Sequence, residues 1–458
     1  MTEDWSFADL KQVETLWGPH GYHRYPAKFI PQLVHRVIET YSAPGDLVGD
    51  PFLGSATTGI EALRLGRRFW GSDISQVALL ISRAKCTPIC HPELCETWRR
   101  LDEQLDGVQR VGRRHLSAEE KEAIAAVDIA RATPEERFSY WFPAAYRASL
   151  EDILQQILAH SKEITRTFFL CGFSNILKRC SIWLSGSTKA QKDVCKVLGD
   201  PVEEFRKQIR DMVKRNKLYW DDIVESGRDP FKLLNQCHIS LEDARQLTLP
   251  DAVFDLLVTS PPYATCYEYK EIHQLTQLWF ERYGILSSNN AQEGWIGSKG
   301  ISHRTMSEIP ASFDFRESLL LHTGSSVANA ALAELGALAT GSIAQGVKRE
   351  VQALCYYFRD MDCALCELAR VTAPDKRFVL IIGDSYRRGV TIPTSEALCE
   401  MALGSGFELE RRIVRKIPAR VLVSTRNKTT GRFSSTALSD MQVYPEEYVL
   451  VFRRLVKF

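Results

Sequence analysis

Strand-like and helix-like segments alternate over residues 21–90, stop alternating from 91 to about 235, and alternate again to the end of the 458-residue chain. That interruption limits the fold more than any other feature. "GDLVGDPF" and "RRFWGSDIS" before it read as strands, as do "DLLVTS", "RFVLIIGDS", "RRIVRKIP" and "EYVLVFRR" after it. Between them, "SLEDILQQILAHSKEITRTFFL" sets Leu150, Ile153, Leu154, Ile157 and Leu158 on one helical face. "TRTFFLCGFSNILKRCSIWL" and "DPVEEFRKQIRDMVKRNKLYW" also read as helical. Strands that alternate with helices call for a mostly parallel sheet with helices on both faces. The expectation is one doubly wound α/β sheet split by a helical insert. Residues 1–90 form its first part, 91–235 the insert, and 236–458 the remainder, with a loop-rich stretch at about 284–345.

The formal net charge is +1, so no global field favours a polyanion and any nucleic-acid surface must be local. The opening "MTEDWSFADLKQ" lacks the pattern of a signal peptide, and no apolar run reaches bilayer length. Twelve cysteines are then expected to be reduced thiols in a cytoplasm. Cys86, Cys90, His91 and Cys95 match no common zinc spacing, so no metal is expected. Cys363 and Cys366 fall in an amphipathic helical pattern, where they are expected to pack as small apolar residues.

Two segments in the sheet-forming parts suggest a nucleoside site. "LVGDPFLGSATTGIEALRLG" places glycines Gly54 and Gly59 between a strand and a helix, where backbone can approach a ligand closely. It is neither a phosphate loop nor a strict dinucleotide fingerprint. The next strand ends at Asp73, an acid placed to accept ribose hydroxyls or, more simply, to cap the following helix.

The apolar run "DLLVTS" ends on Ser260-Pro261-Pro262-Tyr263. A conjugated amine on a nucleobase is a poor nucleophile, because its lone pair is delocalised into the ring. Two acceptors, one for each N–H, draw the nitrogen toward a pyramid. The Ser260 hydroxyl and the Pro261 carbonyl are candidates, and the prolines stiffen the turn that holds them. Tyr263 offers a face for stacking.

These residues resemble the DNA amino-methyltransferases that use S-adenosylmethionine, especially the cytosine-N4 type with its serine-first tetrapeptide. The resemblance implies a Rossmann-like methyltransferase sheet with Ser260, Pro261, Pro262 and Tyr263 as the catalytic segment. "HRYPAKFIP" is similar to the segment over the methionine part of the cofactor, implying Tyr25, Pro26 and Lys28. "DPFLGSATTG" resembles the methionine-site loop: Asp50, Pro51, Phe52, Gly54, Ser55, Thr57 and Thr58, with Ala56 where a glycine is common. Asp73 and Ile74 would hold the ribose end, and Asp243 and Ala244 of "HISLEDARQL" the adenine.

A carbon-5 cytosine enzyme would need a Pro-Cys nucleophile, and the chain has no such dipeptide. The implied substrate is double-stranded DNA with a flipped cytosine. Phosphate contacts are expected from Arg411, Arg412, Arg415, Lys416, Arg420, Arg426, Lys428 and Arg432, a run with no acid within it. "LKRCSIW" and "KRNKLYW" in the insert are further basic segments, and the insert, 91–235, is a candidate for DNA binding and target recognition, with 284–345 as the alternative place for recognition. The resemblance also implies a cytoplasmic bacterial or archaeal protein, with any restriction endonuclease or other defence component on a separate chain. Adenine-N6 methylation, RNA or protein-amide methylation, and an inactive DNA-binding subunit remain alternatives.

Overall fold

The computed structural model describes residues 5–25, 28–187, 189–264, 269–287, 295–297, 323–416, 425–426, 441–442 and 446–456. Seven strands form the main sheet: β1 Leu47–Asp50, β2 Arg68–Asp73, β3 Cys237–Leu241, β4 Phe254–Thr259, β5 Thr372–Ile382, β6 Phe407–Lys416 and β7 Glu446–Arg454. Their order is β3-β2-β1-β4-β5-β7-β6. The first five are parallel, and β7 runs antiparallel between β5 and β6. This is the doubly wound α/β sheet expected from the alternation of strands and helices.

The period-2 pleat divides the central strands between two cores. Leu256, Val258, Val379, Ile381, Val449 and Val451 enter one. Leu257, Phe378, Leu380, Ile382, Leu450 and Phe452 enter the other. Burial on both faces is why these strands read as continuous apolar runs.

The chain builds outward through β1, β2 and β3, then returns to lay β4 on the other side of β1. The strand order therefore reverses between β1 and β4, and open α/β sheets bind ligands beside the carboxyl ends at such a reversal.

Between β2 and β3 the described elements are helices and isolated bridges. Helix α1, Glu163–Ile176, packs on α2, Pro201–Glu225, and on the sheet-flanking helix Gln76–Cys86. The apolar pattern read as one helix over 149–170 is two, Ala144–His160 and Glu163–Ile176. The break is at Ser161, whose hydroxyl turns back to the Ile157 carbonyl. Residues 177–184, expected to be helical, lie beyond the end of α1. There Lys196 Nζ donates to the carbonyls of Lys178, Ser181 and Trp183 at 2.5, 3.0 and 2.8 Å. Phe138, Phe142 and Phe173 close around Trp279 of α3, Tyr269–Arg282, tying the insert to the helix that follows the proline segment.

Cys363 and Cys366 are exposed, contrary to the packed role expected of them. The buried stripe of their helix, Ala344–Val371, runs through Leu354, Phe358, Met361, Leu365 and Leu368, and the two thiols fall off it. No helix among the described residues is long and apolar enough to cross a membrane.

Candidate active site

A cavity of about 840 Å³ opens at the β1/β4 reversal. Its lining includes Tyr25, Lys28, Asp50, Pro51, Phe52, Gly54, Ser55, Thr57, Asp73, Ile74, Asp243 and Ala244, together with Ser260 and Pro262 of the tetrapeptide. Segments as far apart as residues 25 and 262 converge because each follows, or packs against, the carboxyl end of a parallel strand.

The glycine loop is braced from below. Asp50 ends β1, is 1% exposed, and accepts from Thr259 Oγ1 at 2.6 Å, Thr58 Oγ1 at 2.8 Å and the Phe52 amide at 3.1 Å. Burial lifts its carboxyl to about 6 against those hydrogen bonds. The Thr259 contact joins the ends of β1 and β4 directly across the reversal. Thr58, expected among the cofactor contacts, is instead fully buried and outside the cavity lining. In the first turn of its helix, it points inward and serves Asp50.

Gly54 adopts φ +52°, and a Cβ there would stand 3.4 Å from the Tyr25 ring. Ala56 caps the helix Thr57–Arg64 at φ +59°, ψ 38° and is fully buried. This left-handed backbone at a non-glycine residue stores strain. Among the described residues Ser55 Oγ is buried without a hydrogen-bond partner, and it belongs to the cavity lining.

Asp73 accepts from the Gly54 amide with one oxygen and the Ser75 amide with the other, both at 2.9 Å. Burial raises its carboxyl to about 6. Ser75, rather than Asp73, caps the following helix, accepting from the Ala78 amide at 3.2 Å. Asp243 reaches the cavity already paired: both its oxygens accept from Arg245, which also binds Asp360 at 2.8 Å. Lys28 Nζ donates to the His20 carbonyl at 2.8 Å, and burial holds its amine well below the usual range. Pro26 lies outside the described residues.

Among the described residues nothing hydrogen-bonds the Ser260 hydroxyl, which faces the cavity. Pro261 is buried. Tyr263 is half-buried outside the lining, and its hydroxyl donates to Glu447 Oε1 at 2.7 Å. Phe29, Leu53, Glu242, Trp295 and Ile296 line the cavity without having been anticipated. Trp295 and Ile296 are a bulky apolar pair within "EGWIGS", in a stretch read as loops and short helices; that pair was the available signal.

The expected basic run does not form one face. Along β6 the pleat sends Arg411 and Arg415 to one side and Arg412 and Lys416 to the other. Arg415 is 4% exposed and pairs with Glu447 at 2.7 Å, so its charge points into the protein. Arg412 pairs with Glu396 at 2.6 Å. Arg411 and Lys416 are exposed. Arg420, Lys428, Arg432 and the side chain of Arg426 lie outside the described residues.

Residues 2–83 match the N6/N4 methyltransferase family model, described as DNA methylase. Over that stretch the chain is similar to the N6/N4 DNA methylases. It is 24% identical to the type II methyltransferase M.MvaI of Kocuria varians over 94% of this chain and 91% of that protein. Shorter matches, each 39% identical, join it to M.MjaII of Methanocaldococcus jannaschii, over 18% of this chain and 16% of that protein, and to M2.DpnII of Streptococcus pneumoniae, over 19% and 30%. A crystal structure of a Thermus thermophilus protein complexed with S-adenosyl-L-methionine is 17% identical. It covers 25% of this chain and 42% of that one at a TM-score of 0.16. A Methanosarcina mazei SAM-dependent methyltransferase is 9% identical, covers 95% and 100%, and has a TM-score of 0.29. The fold stands on the strand order rather than on these overlays.

Proposed function

We propose that this N6/N4-type methylase transfers a methyl group from S-adenosylmethionine to the exocyclic N4 amine of a cytosine flipped out of double-stranded DNA. The observation that carries this reading is an uncommitted Ser260 hydroxyl in the same cavity as the Gly54 loop and Asp73. A concave site with a few convergent polar groups at the sheet reversal suits a nucleoside-like cofactor. The orphaned Ser55 hydroxyl and the rim carboxylate of Asp73 suit its polar ends.

When bound, S-adenosylmethionine supplies a methyl group on a sulfonium. The protein's part is presentation. Ser260 Oγ accepts one amine N–H and the Pro261 carbonyl the other, freeing the nitrogen lone pair for in-line attack. The new C–N bond forms as the C–S bond breaks, leaving a thioether, and the nitrogen then releases its extra proton to solvent. Positioning and hydrogen bonds provide the rate enhancement, with no covalent enzyme intermediate. The Tyr263 ring takes the face of the base.

A second group of cations supports a DNA substrate. Arg24, beside the cavity residue Tyr25, is exposed and tied to α1 by its amide, which donates to Asn175 Oδ1 at 3.1 Å. Burial, then neighbouring Arg24 and Lys196, lower the Lys178 amine to about 8. Neither Arg24 nor Lys178 has a carboxylate partner among the described residues. This cluster joins the insert to the mouth of the cavity and suits a phosphate backbone.

The test is methyl transfer to unmethylated DNA followed by digestion and identification of the modified nucleoside. N4-methylcytosine is expected. N6-methyladenine would overturn the base assignment, and product on RNA alone would overturn the DNA substrate. Ser260→Ala should abolish transfer while cofactor binding and Tm stay unchanged; undiminished transfer would refute the mechanism.

A further inference from the structure

We infer that Glu447 and Arg415, at the far side of the sheet, are positioning residues that aim the Tyr263 ring. The inference rests on the methyl-transfer reading above and adds two residues that touch neither cofactor nor base.

Tyr263 leaves the tip of β4 and crosses toward β7. Its ring lies against Gly383, where a Cβ would come within 2.9 Å of Tyr263 Cε2. Its hydroxyl meets Glu447 Oε1 at 2.7 Å, and the other Glu447 oxygen accepts from Arg415 Nη1 at 2.7 Å. Glu447 and Arg415 face each other in register across β7 and β6. Their side chains are 10% and 3% exposed. Among the described residues Arg415 is poorly satisfied otherwise: its Nε is buried without a partner, and its Nη2 reaches only the Ser6 carbonyl, at 3.4 Å.

A buried ion pair is an inefficient source of stability, because its desolvation cost rivals its Coulombic gain and apolar replacements are often neutral or better. The neighbouring positions Val449 and Val451 show that this strand accommodates apolar side chains. What an apolar pair cannot supply is a fixed, charged acceptor. The Glu447 carboxylate, itself held by Arg415, fixes the far end of the tyrosine. Backbone at one end and hydroxyl at the other then set the tilt of the ring. Stacking geometry governs how the amine meets the methyl group, where a displacement of about 1 Å can cost on the order of 100-fold in rate.

The experiment compares Tyr263→Phe, Glu447→Gln and the paired swap Glu447→Leu/Arg415→Met. The paired swap should fold with a Tm at or above wild type, keep the KM for S-adenosylmethionine, and lose about 10- to 100-fold in kcat. It should have no further effect when Tyr263→Phe is already present. Glu447→Gln can face Arg415 with its amide oxygen and donate its NH2 to the Tyr263 hydroxyl, a neutral contact that should recover part of the rate. With 3-fluorotyrosine at position 263, the 19F spectrum should show one sharp resonance in wild type and a shifted, averaged one in the paired swap. Wild-type kcat in the paired swap, equal losses with and without the tyrosine hydroxyl, or an unchanged 19F resonance would each overturn the inference. A wild-type protein that methylates no DNA would sink the methyl-transfer reading instead, and the 19F comparison would still judge the contact.

Discussion

Cofactor affinity should weaken with acid below about pH 6, and Asp73 should be the cause. Burial raises this carboxyl to about 6, and the Gly54 and Ser75 amides already bind one oxygen each. Ribose hydroxyls that donate to Asp73 favour its ionised form, so binding below the raised value must expel a proton. With a single linked proton, about ten-elevenths of the site is protonated at pH 5, and Kd should be about 10-fold its value at pH 7, where the correction to the fully ionised limit is only about 10%. Asp50 also titrates at about 6 and must be separated. Asp73→Asn should remove the pH dependence and weaken neutral binding by about tenfold or more, the loss of one charged hydrogen bond. Asp50→Asn should keep the slope.

Acid unfolding driven by these groups would not produce the effect. A folded value above the unfolded one means their stabilising contribution is fully present below the unfolded carboxylate pKa and is lost as pH rises through about 6. Calorimetric titration between pH 5 and 7, in two buffers of different ionisation enthalpy, measures both Kd and the proton count. An affinity flat across that range, or a slope that survives in Asp73→Asn, would refute the reasoning.

Two further outcomes can be checked directly. Ala56→Gly relieves left-handed strain of about 1–2 kcal/mol, partly offset by about 0.4–1 kcal/mol of added chain entropy. Thermal melts should show a small rise or no change, with cofactor binding kept, whereas Ala56→Val should destabilise markedly. Arg24→Glu with Lys178→Glu should weaken DNA binding, leave cofactor affinity untouched, and flatten log K against log salt by about 0.9 per lost phosphate contact; an unchanged slope would move the DNA to another surface.

The site's skeleton could be read from the chain because it is local. A glycine turn after β1, an acid at the end of β2 and a proline stop after β4 each announce a strand's carboxyl end. Alternation with helices makes those strands parallel, and parallel strands bring their ends to one edge of the sheet. The misreadings have a different origin. Thr58 and Arg415 look like surface contacts in sequence, yet both point inward to a carboxylate, Asp50 or Glu447. Trp295 and Ile296 reach the cavity from a stretch with no periodicity to place it.

The sequence by itself determined six of the seven main-sheet strands and the chemistry at their tips, because hydrophobic period and turn residues act over a few positions; β3, Cys237–Leu241, is a short edge strand without a buried apolar run and does not read as one. Only the tertiary structure decided that Glu447 faces Arg415 and meets Tyr263. That contact depends on the register of β7 between β5 and β6. A one-residue slip there would turn every side chain to the opposite face, and no short stretch of sequence specifies the register of strands so far apart.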